Sequence, residues 1–167
     1  AKQKNNFSVP FFSLNKNVVG ESVNSKINKI SKYLKEKKSD YIFVSAPENV
    51  AWLLNIRGAD SPNSPIPNSR LIISKTKKIL LISEMKKCKK LIKNKTIKLN
   101  QFLSISELPN KLFKLKGKKF IIDDKSCSIF YENLINSKFK IVRREDPSYF
   151  LKAIKNKVEI NNMINAH

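Results

Sequence analysis

The stretch Ala51-Trp52-Leu53-Leu54-Asn55-Ile56-Arg57-Gly58-Ala59-Asp60-Ser61-Pro62-Asn63-Ser64-Pro65 changes character halfway along. Pro47 suits the first turn of a helix, where its missing N–H costs nothing, and Val50, Trp52, Leu53 and Leu54 supply that helix with apolar residues. From Arg57 to Pro67 there follow three prolines, a glycine and several turn-forming polar residues, so regular structure must break. On physical grounds alone the segment reads as core followed by a long loop, with the tryptophan partly buried and its N–H satisfied.

The flanks supply strands and helices in alternation. Before the segment, Ala1 to Val19 lacks a sustained period, contains Pro10 and groups Phe7, Val9, Phe11 and Phe12, which predicts an extended lead-in packed against something. Val23, Ile27, Ile30 and Leu34 then recur on one helical face within Glu21–Lys38, and Tyr41–Ser45 is a short β-rich run. After the segment, Arg70–Ser74 and Lys78–Ser83 predict neighbouring antiparallel strands, followed by a helix over Glu84–Lys93 and a weak strand over Thr96–Leu99. Ser104 and Glu107 have capping-box spacing, Pro109 falls in a first turn, and Ile105, Leu108, Leu112 and Leu115 share a face. A strand at Lys119–Ile122 ends at Asp123-Asp124. Next come a helix with Ile129, Phe130 and Leu134, a strand at Phe139–Val142, and a helix from Asp146-Pro147 through Ile154. A last helix starts within Asn156–Glu159, carries Val158, Ile160, Met163 and Ile164, and has no stop signal before His167. Strands alternating with helices predict a three-layer α/β fold with a mixed sheet. The unstopped helix and the initial Ala1 lead us to expect a piece of a longer protein.

At 167 residues and 41% hydrophobic content, one sizeable core is the expectation, without a second ordinary domain. No run approaches the roughly 20 apolar residues that cross a bilayer, and no secretory signal is present at the N-terminus, so a soluble, cytoplasmic protein with no membrane partner is expected. The formal charge of +21 suggests a polyanion partner, yet only Arg57, Arg70, Arg143 and Arg144 are arginines. The other 30 basic residues are scattered lysines, which lack the bidentate fork of a dedicated phosphate reader. Lysine, asparagine, isoleucine and phenylalanine share A- and T-rich codons, so the charge reads as nucleotide bias, with nucleic acid bound only non-specifically.

Candidate chemistry is sparse. Cys88 and Cys127 lie in unrelated segments and read as reduced, semi-buried thiols. The single histidine, His167, offers no convincing base for a nucleophile, and Gly20, Gly58 and Gly117 are too isolated to cradle phosphate. Asp123 and Asp124 could hold a divalent ion as in nucleases, but a turn with an N-cap explains aspartates there equally locally.

The quoted stretch resembles the Ala-Trp-Leu-Leu-Asn-x-Arg-Gly-x-Asp-x-Pro-x-x-Pro signature in the second domain of Xaa-Pro aminopeptidases, relatives of creatinase and prolidase. Gly20-Glu21-Ser22 with Lys26, the strand Asp40–Ser45, and Ala153-Ile154-Lys155-Asn156-Lys157-Val158-Glu159 with Met163, Ala166 and His167 resemble that family too. Ala59, Ser61 and Asn63-Ser64 depart from it inside the loop. The resemblance covers about Phe12 to His167. It implies a creatinase N-terminal-like mixed sheet with a ribonuclease H-like motif, divided as a lead-in over 1–14, the α/β domain over 15–150, and the helical start of a catalytic domain over 151–167. It further implies a non-catalytic structural, substrate-gating and assembly domain. A first domain would precede it and a pita-bread metallopeptidase domain would follow, carrying two divalent ions, often manganese, on two aspartates, a histidine and two glutamates outside this segment. The parent would take peptide substrates with proline second and could form a homodimer. Trp52, Asn55, Arg57, Gly58, Asp60, Pro62 and Pro65 are then candidates for an interface or active-site rim, with no catalytic, cofactor or metal residue in this chain. The alternative is a stand-alone basic module binding nucleic acid or acidic partners.

Overall fold

Residues 9–166, which the computed structural model describes, begin with β1 (Phe12–Ser13) and α1 (Lys16–Val19). There follow α2 (Val23–Glu36), β2 (Tyr41–Val44), α3 (Pro47–Leu54) and β3 (Ile56–Arg57), then the hairpin β4 (Arg70–Ser74) and β5 (Ile79–Ile82). The second half contains α4 (Met85–Lys93), β6 (Phe102–Leu103), α5 (Leu108–Lys114), β7 (Lys119–Ile122), α6 (Ile129–Asn136), β8 (Lys140–Arg143), α7 (Ser148–Ala153) and α8 (Lys157–Ala166).

The main sheet has the order β6-β5-β4-β2-β7-β8. β4 is antiparallel to β2 and β5, while the β2–β7, β7–β8 and β5–β6 pairs are parallel. This is the expected mixed sheet flanked by helices. The central strands read as unbroken apolar runs because both faces are covered. Ile42, Val44, Leu71, Ile73 and Ile121 meet Ile27, Ile30 and Leu34 of α2 on one side. Phe43, Ile72, Phe120 and Ile122 meet Leu108 and Leu112 of α5 and Ile135 of α6 on the other. On that second side Phe120 stacks on Tyr41 at 5.1 Å and meets the edge of Phe139 at 5.2 Å.

The lead-in packs through Phe11, which is wholly buried and donates its N–H to Lys87 O at 2.9 Å. β1 then pairs antiparallel with β3 in a small second sheet. Val9 and Phe12 are exposed, and Phe7 lies outside the described residues.

Three local expectations are corrected. Thr96–Leu99 is not a strand: Gln101 N–H donates to Lys98 O at 2.9 Å and closes a 3-10 turn over Leu99–Gln101, which the Gln101 side chain caps by accepting from Lys98 N–H at 2.9 Å. The apolar pair that extends the sheet is Phe102-Leu103, one turn later. Phe139 precedes its strand, because its N–H is still held by Ile135 O of α6 at 2.9 Å. Ile105 belongs to a 3-10 turn rather than to the buried face of α5, although the Ser104–Glu107 capping box forms, with Ser104 N–H donating to Glu107 Oε2 at 3.1 Å. Ile129 and Phe130 face outward, and Ile135 is the wholly buried residue of α6.

Phe120→Ala should destabilise the domain by about 3–5 kcal/mol in urea melts, since it empties the centre of the second core. Phe113→Ala, at a position 78% exposed, should change stability by less than about 0.5 kcal/mol.

Candidate functional site

The signature stretch ends α3 with a left-handed residue, Asn55, at φ 52° and ψ 39°. Asparagine tolerates that conformation better than most residues, and here its side chain is also used at both ends. Asn55 Nδ2 donates to Glu21 O at 2.9 Å, while Oδ1 accepts from Lys26 Nζ at 2.7 Å. Lys26 is itself buried; its ammonium also donates to Trp52 O at 2.7 Å and sits 4.1 Å from the centre of the Trp52 ring. Arg57 reaches back to Ala51 O at 3.3 Å and Ile56 O at 2.8 Å. Two cations thus close the negative end of α3, where its last carbonyls lack helical partners. The Trp52 indole N–H is buried without an acceptor among the described residues, contrary to the expectation that it would be satisfied.

The loop is laid down as closely as the helix end. A Cβ on Gly58 would stand 2.8 Å from Pro67 Cα and 2.9 Å from the Phe11 ring, so only glycine fits without a shift. Asp60 accepts from Asn68 N at 2.7 Å and from Lys87 Nζ at 2.7 Å, pinning the loop to β4's approach and to α4. Ala59, Pro62, Asn63 and Pro65 are what the loop shows to solvent. Of the candidate rim residues, therefore, Trp52, Asn55, Arg57, Gly58 and Asp60 are engaged inside the domain, and Pro62 and Pro65 form its exposed tip.

A second polar cluster sits beyond the carboxyl ends of β2 and β7, and of its members sequence reasoning weighed only Asp123 for chemistry, reading Asp146 as a helix start. Asp123 accepts from Lys125 N at 3.0 Å and Asp146 N at 2.9 Å. Asp146 accepts from Ser148 N at 2.9 Å and from Asn49 Nδ2 at 2.8 Å, and Lys152 Nζ donates to Asn49 Oδ1 at 2.6 Å. Burial pushes the Asp146 carboxyl above its ordinary range, with the nearby Asp123 adding to it and the Ser148 and Asn49 hydrogen bonds opposing it. The cluster ties α3 to β7 and α7. Asp123 forms a turn, and Asp124 stays exposed, so the two carboxylates do not converge. No group of three or more metal-ligating side chains lies together among the described residues. Burial also pushes the Cys88 and Cys127 thiols up to about 11, which leaves them protonated and poorly nucleophilic near neutrality. His167 lies outside the described residues.

Lys26→Met should cost about 1–3 kcal/mol at pH 7, because it leaves Asn55 Oδ1 without its donor and Trp52 O with only the long bond from Asn55 N–H. Burial, chiefly, pushes the Lys26 amine down to about 8 from its ordinary 10.5. Between those values the folded state binds fewer protons than the unfolded state, so the Lys26 contribution to stability rises with pH. Urea melts should show the gap between the native chain and Lys26→Met widening from pH 8 to 10; a constant gap contradicts the burial of a charged amine.

Comparison with known proteins places this geometry. The chain is 32% identical over 163 residues to Xaa-Pro aminopeptidase 1 of Dictyostelium discoideum, covering 93% of this chain and 25% of that protein. It is 30% identical over 154 residues to Xaa-Pro aminopeptidase ApepP of Drosophila melanogaster, covering 89% and 25%. It thus spans about a quarter of the curated relatives it matches. The structure superimposes on X-prolyl aminopeptidase from Caenorhabditis elegans with a TM-score of 0.74 at 20% identity, covering 96% of this chain and 27% of that one. A creatinase/prolidase N-terminal domain of a Streptococcus pyogenes X-Pro dipeptidase is matched over its whole length and 72% of this chain, with a TM-score of 0.54 at 14% identity. These likenesses give no support to a stand-alone basic binding module. No helix among the described residues is long and apolar enough to cross a membrane. With the family profile matching residues 2–159, the chain belongs to the creatinase/prolidase N-terminal domain family.

Proposed function

We propose that this chain is a non-catalytic structural and substrate-gating domain of a cytoplasmic Xaa-Pro aminopeptidase, a metallopeptidase that removes the residue preceding proline. The observation that carries the reading is the match of nearly the whole chain to only a quarter of several Xaa-Pro aminopeptidases. The Caenorhabditis elegans neighbour is described as a cytosolic enzyme with a di-nuclear active site. In the parent of this chain the corresponding ions, manganese in our reading, would sit on carboxylates and a histidine downstream. Among the described residues there is no such ligand cluster, and the part assigned to them is to position and shield rather than to break bonds.

Two surfaces suit an assembly role. One is the Ser61–Pro65 tip, preformed by the Asp60 contacts and by Ser64 N–H donating to Ser61 O at 3.4 Å, so that little entropy is lost when it docks against a neighbouring domain, a second subunit or the peptide. The other is α8, whose Ile160, Met163 and Ile164 are exposed, Ile164 by 67%. An apolar helical face of that kind suits the start of a catalytic domain over 151–167, with further chain packing upon it. Its direction is set by a clasp. Asn156 caps α8 by accepting from Glu159 N at 3.0 Å, and donates through Nδ2 to Val19 O at 2.9 Å. Gly20, at φ 72°, leaves the room that Asn156 occupies. Asn162 Nδ2 adds a bond to Val18 O at 3.0 Å.

Extending the chain past His167 by some two hundred residues and assaying Xaa-Pro peptides tests the reading. The extended protein should be active with added divalent metal and the 167-residue chain inert. Activity in the short chain, or a downstream sequence without the two aspartates, histidine and two glutamates, overturns it. In the active protein, Pro62→Ala/Pro65→Ala should lower kcat/KM by roughly two- to tenfold while Tm stays within about 2 °C, separating gating from folding.

A further inference from the structure

At the foot of the sheet, opposite the polar cluster, the β4–β5 hairpin, the 3-10 turn at Leu99–Gln101 and the carboxyl end of α5 border a half-open cavity of about 630 Å³. Its apolar lining comes from Tyr41, Ile72, Ile79, Leu80 and Leu115. Around these stand Lys77, Lys78, Lys98, Lys111, Lys114 and Lys116, and no carboxylate lines the cavity. Asp40, next to Tyr41, is already taken up by Lys75 Nζ at 2.6 Å and by the N–H groups of Lys118 and Lys119 at 2.8 and 3.0 Å. None of the six lysines forms an ion pair among the described residues.

The abundance of lysine in the chain accounts for many of its surface charges, and here six of them border one concavity that also has an apolar lining. Lys111 and Lys114 sit in the last turn of α5, where cations complement the helix dipole. Lys77, Lys78, Lys98 and Lys116 lie outside the helices and have no such partner. Like charges gathered around one concavity repel one another, and a concave low-dielectric wall focuses their field on whatever enters. Lysine ammoniums act there as rotatable point charges, suited to a compact anion whose oxygens are not fixed in one plane. Amides from Asn100 and Gln101 add neutral donors, and the apolar lining accommodates an organic body.

We infer that this cavity binds a small multivalent phosphate compound. A soluble ligand fits better than a bilayer surface, because the charges converge on one concavity rather than spread over a flat face, and better than a long nucleic acid, because the lysines surround one pocket instead of forming a track.

Calorimetric titration of the 167-residue chain with inorganic tripolyphosphate at about 0.15 M salt is the test. One saturable site is expected. Lys77→Gln/Lys116→Gln should weaken it roughly tenfold or more, through loss of two close charges. The control Lys89→Gln/Lys93→Gln, on exposed α4 positions, carries the same charge change and should leave affinity within about twofold. Vesicles of phosphatidylserine should not compete. No saturable binding at that salt, equal losses in both pairs, no loss in either, or displacement by the vesicles would each overturn the inference. The assay uses this chain alone, so its result is independent of the peptidase reading.

Discussion

The left-handed turn at Asn55 is the constraint on which the rest of the structure rests. α3 has to stop there for Ile56 to drop into the first core and for β3 to pair with β1 over the buried Phe11. A helix stopped at a buried site leaves carbonyls that must find donors. Lys26 and Arg57 meet that demand, and because Lys26 belongs to α2, satisfying the end of one helix fixes its distance from another. Desolvating the lysine opposes folding. The hydrogen bonds, the Trp52 ring and the packing around them offset that cost and keep the amine in place, while the desolvation itself is what makes it titrate low.

The same constraint explains how much of the molecule could be read in its sequence. Strands buried on both faces announce themselves as apolar runs, and α2 has a clear amphipathic period, so the mixed sheet and its helices were legible. What misled was contact between distant residues. Ile105 shares a face with Leu108 and Leu112 along the chain, but it lies in a 3-10 turn ahead of α5 and is exposed. The strand expected at Thr96–Leu99 lost to a 3-10 turn, which the Gln101 side chain caps.

The candidate site was legible as a motif and opaque as a mechanism. Residues of a signature can be held for binding, for catalysis or for folding, and the sequence alone does not separate these. Here Asn55, Gly58 and Asp60 are consumed by the fold: a helix stop, a close approach to Phe11, and a pin to Lys87. Only the proline tip beyond them is left to meet another surface. The roles of Lys26 and Asp146, which carry much of the polar organisation, were not legible locally, since the carbonyl of Trp52 lies 26 residues from Lys26 and the Asn49 amide 97 residues from Asp146.

The claim that the signature serves folding, and leaves chemistry to the rest of the proposed peptidase, is tested most directly in the longer protein of that proposal. Asn55→Ala should be assayed there at a temperature where native and variant proteins are both fully folded. The account predicts a lowered Tm with kcat per folded molecule unchanged within about twofold. An unchanged Tm with kcat reduced tenfold or more would contradict it, and would place Asn55 in the catalytic machinery.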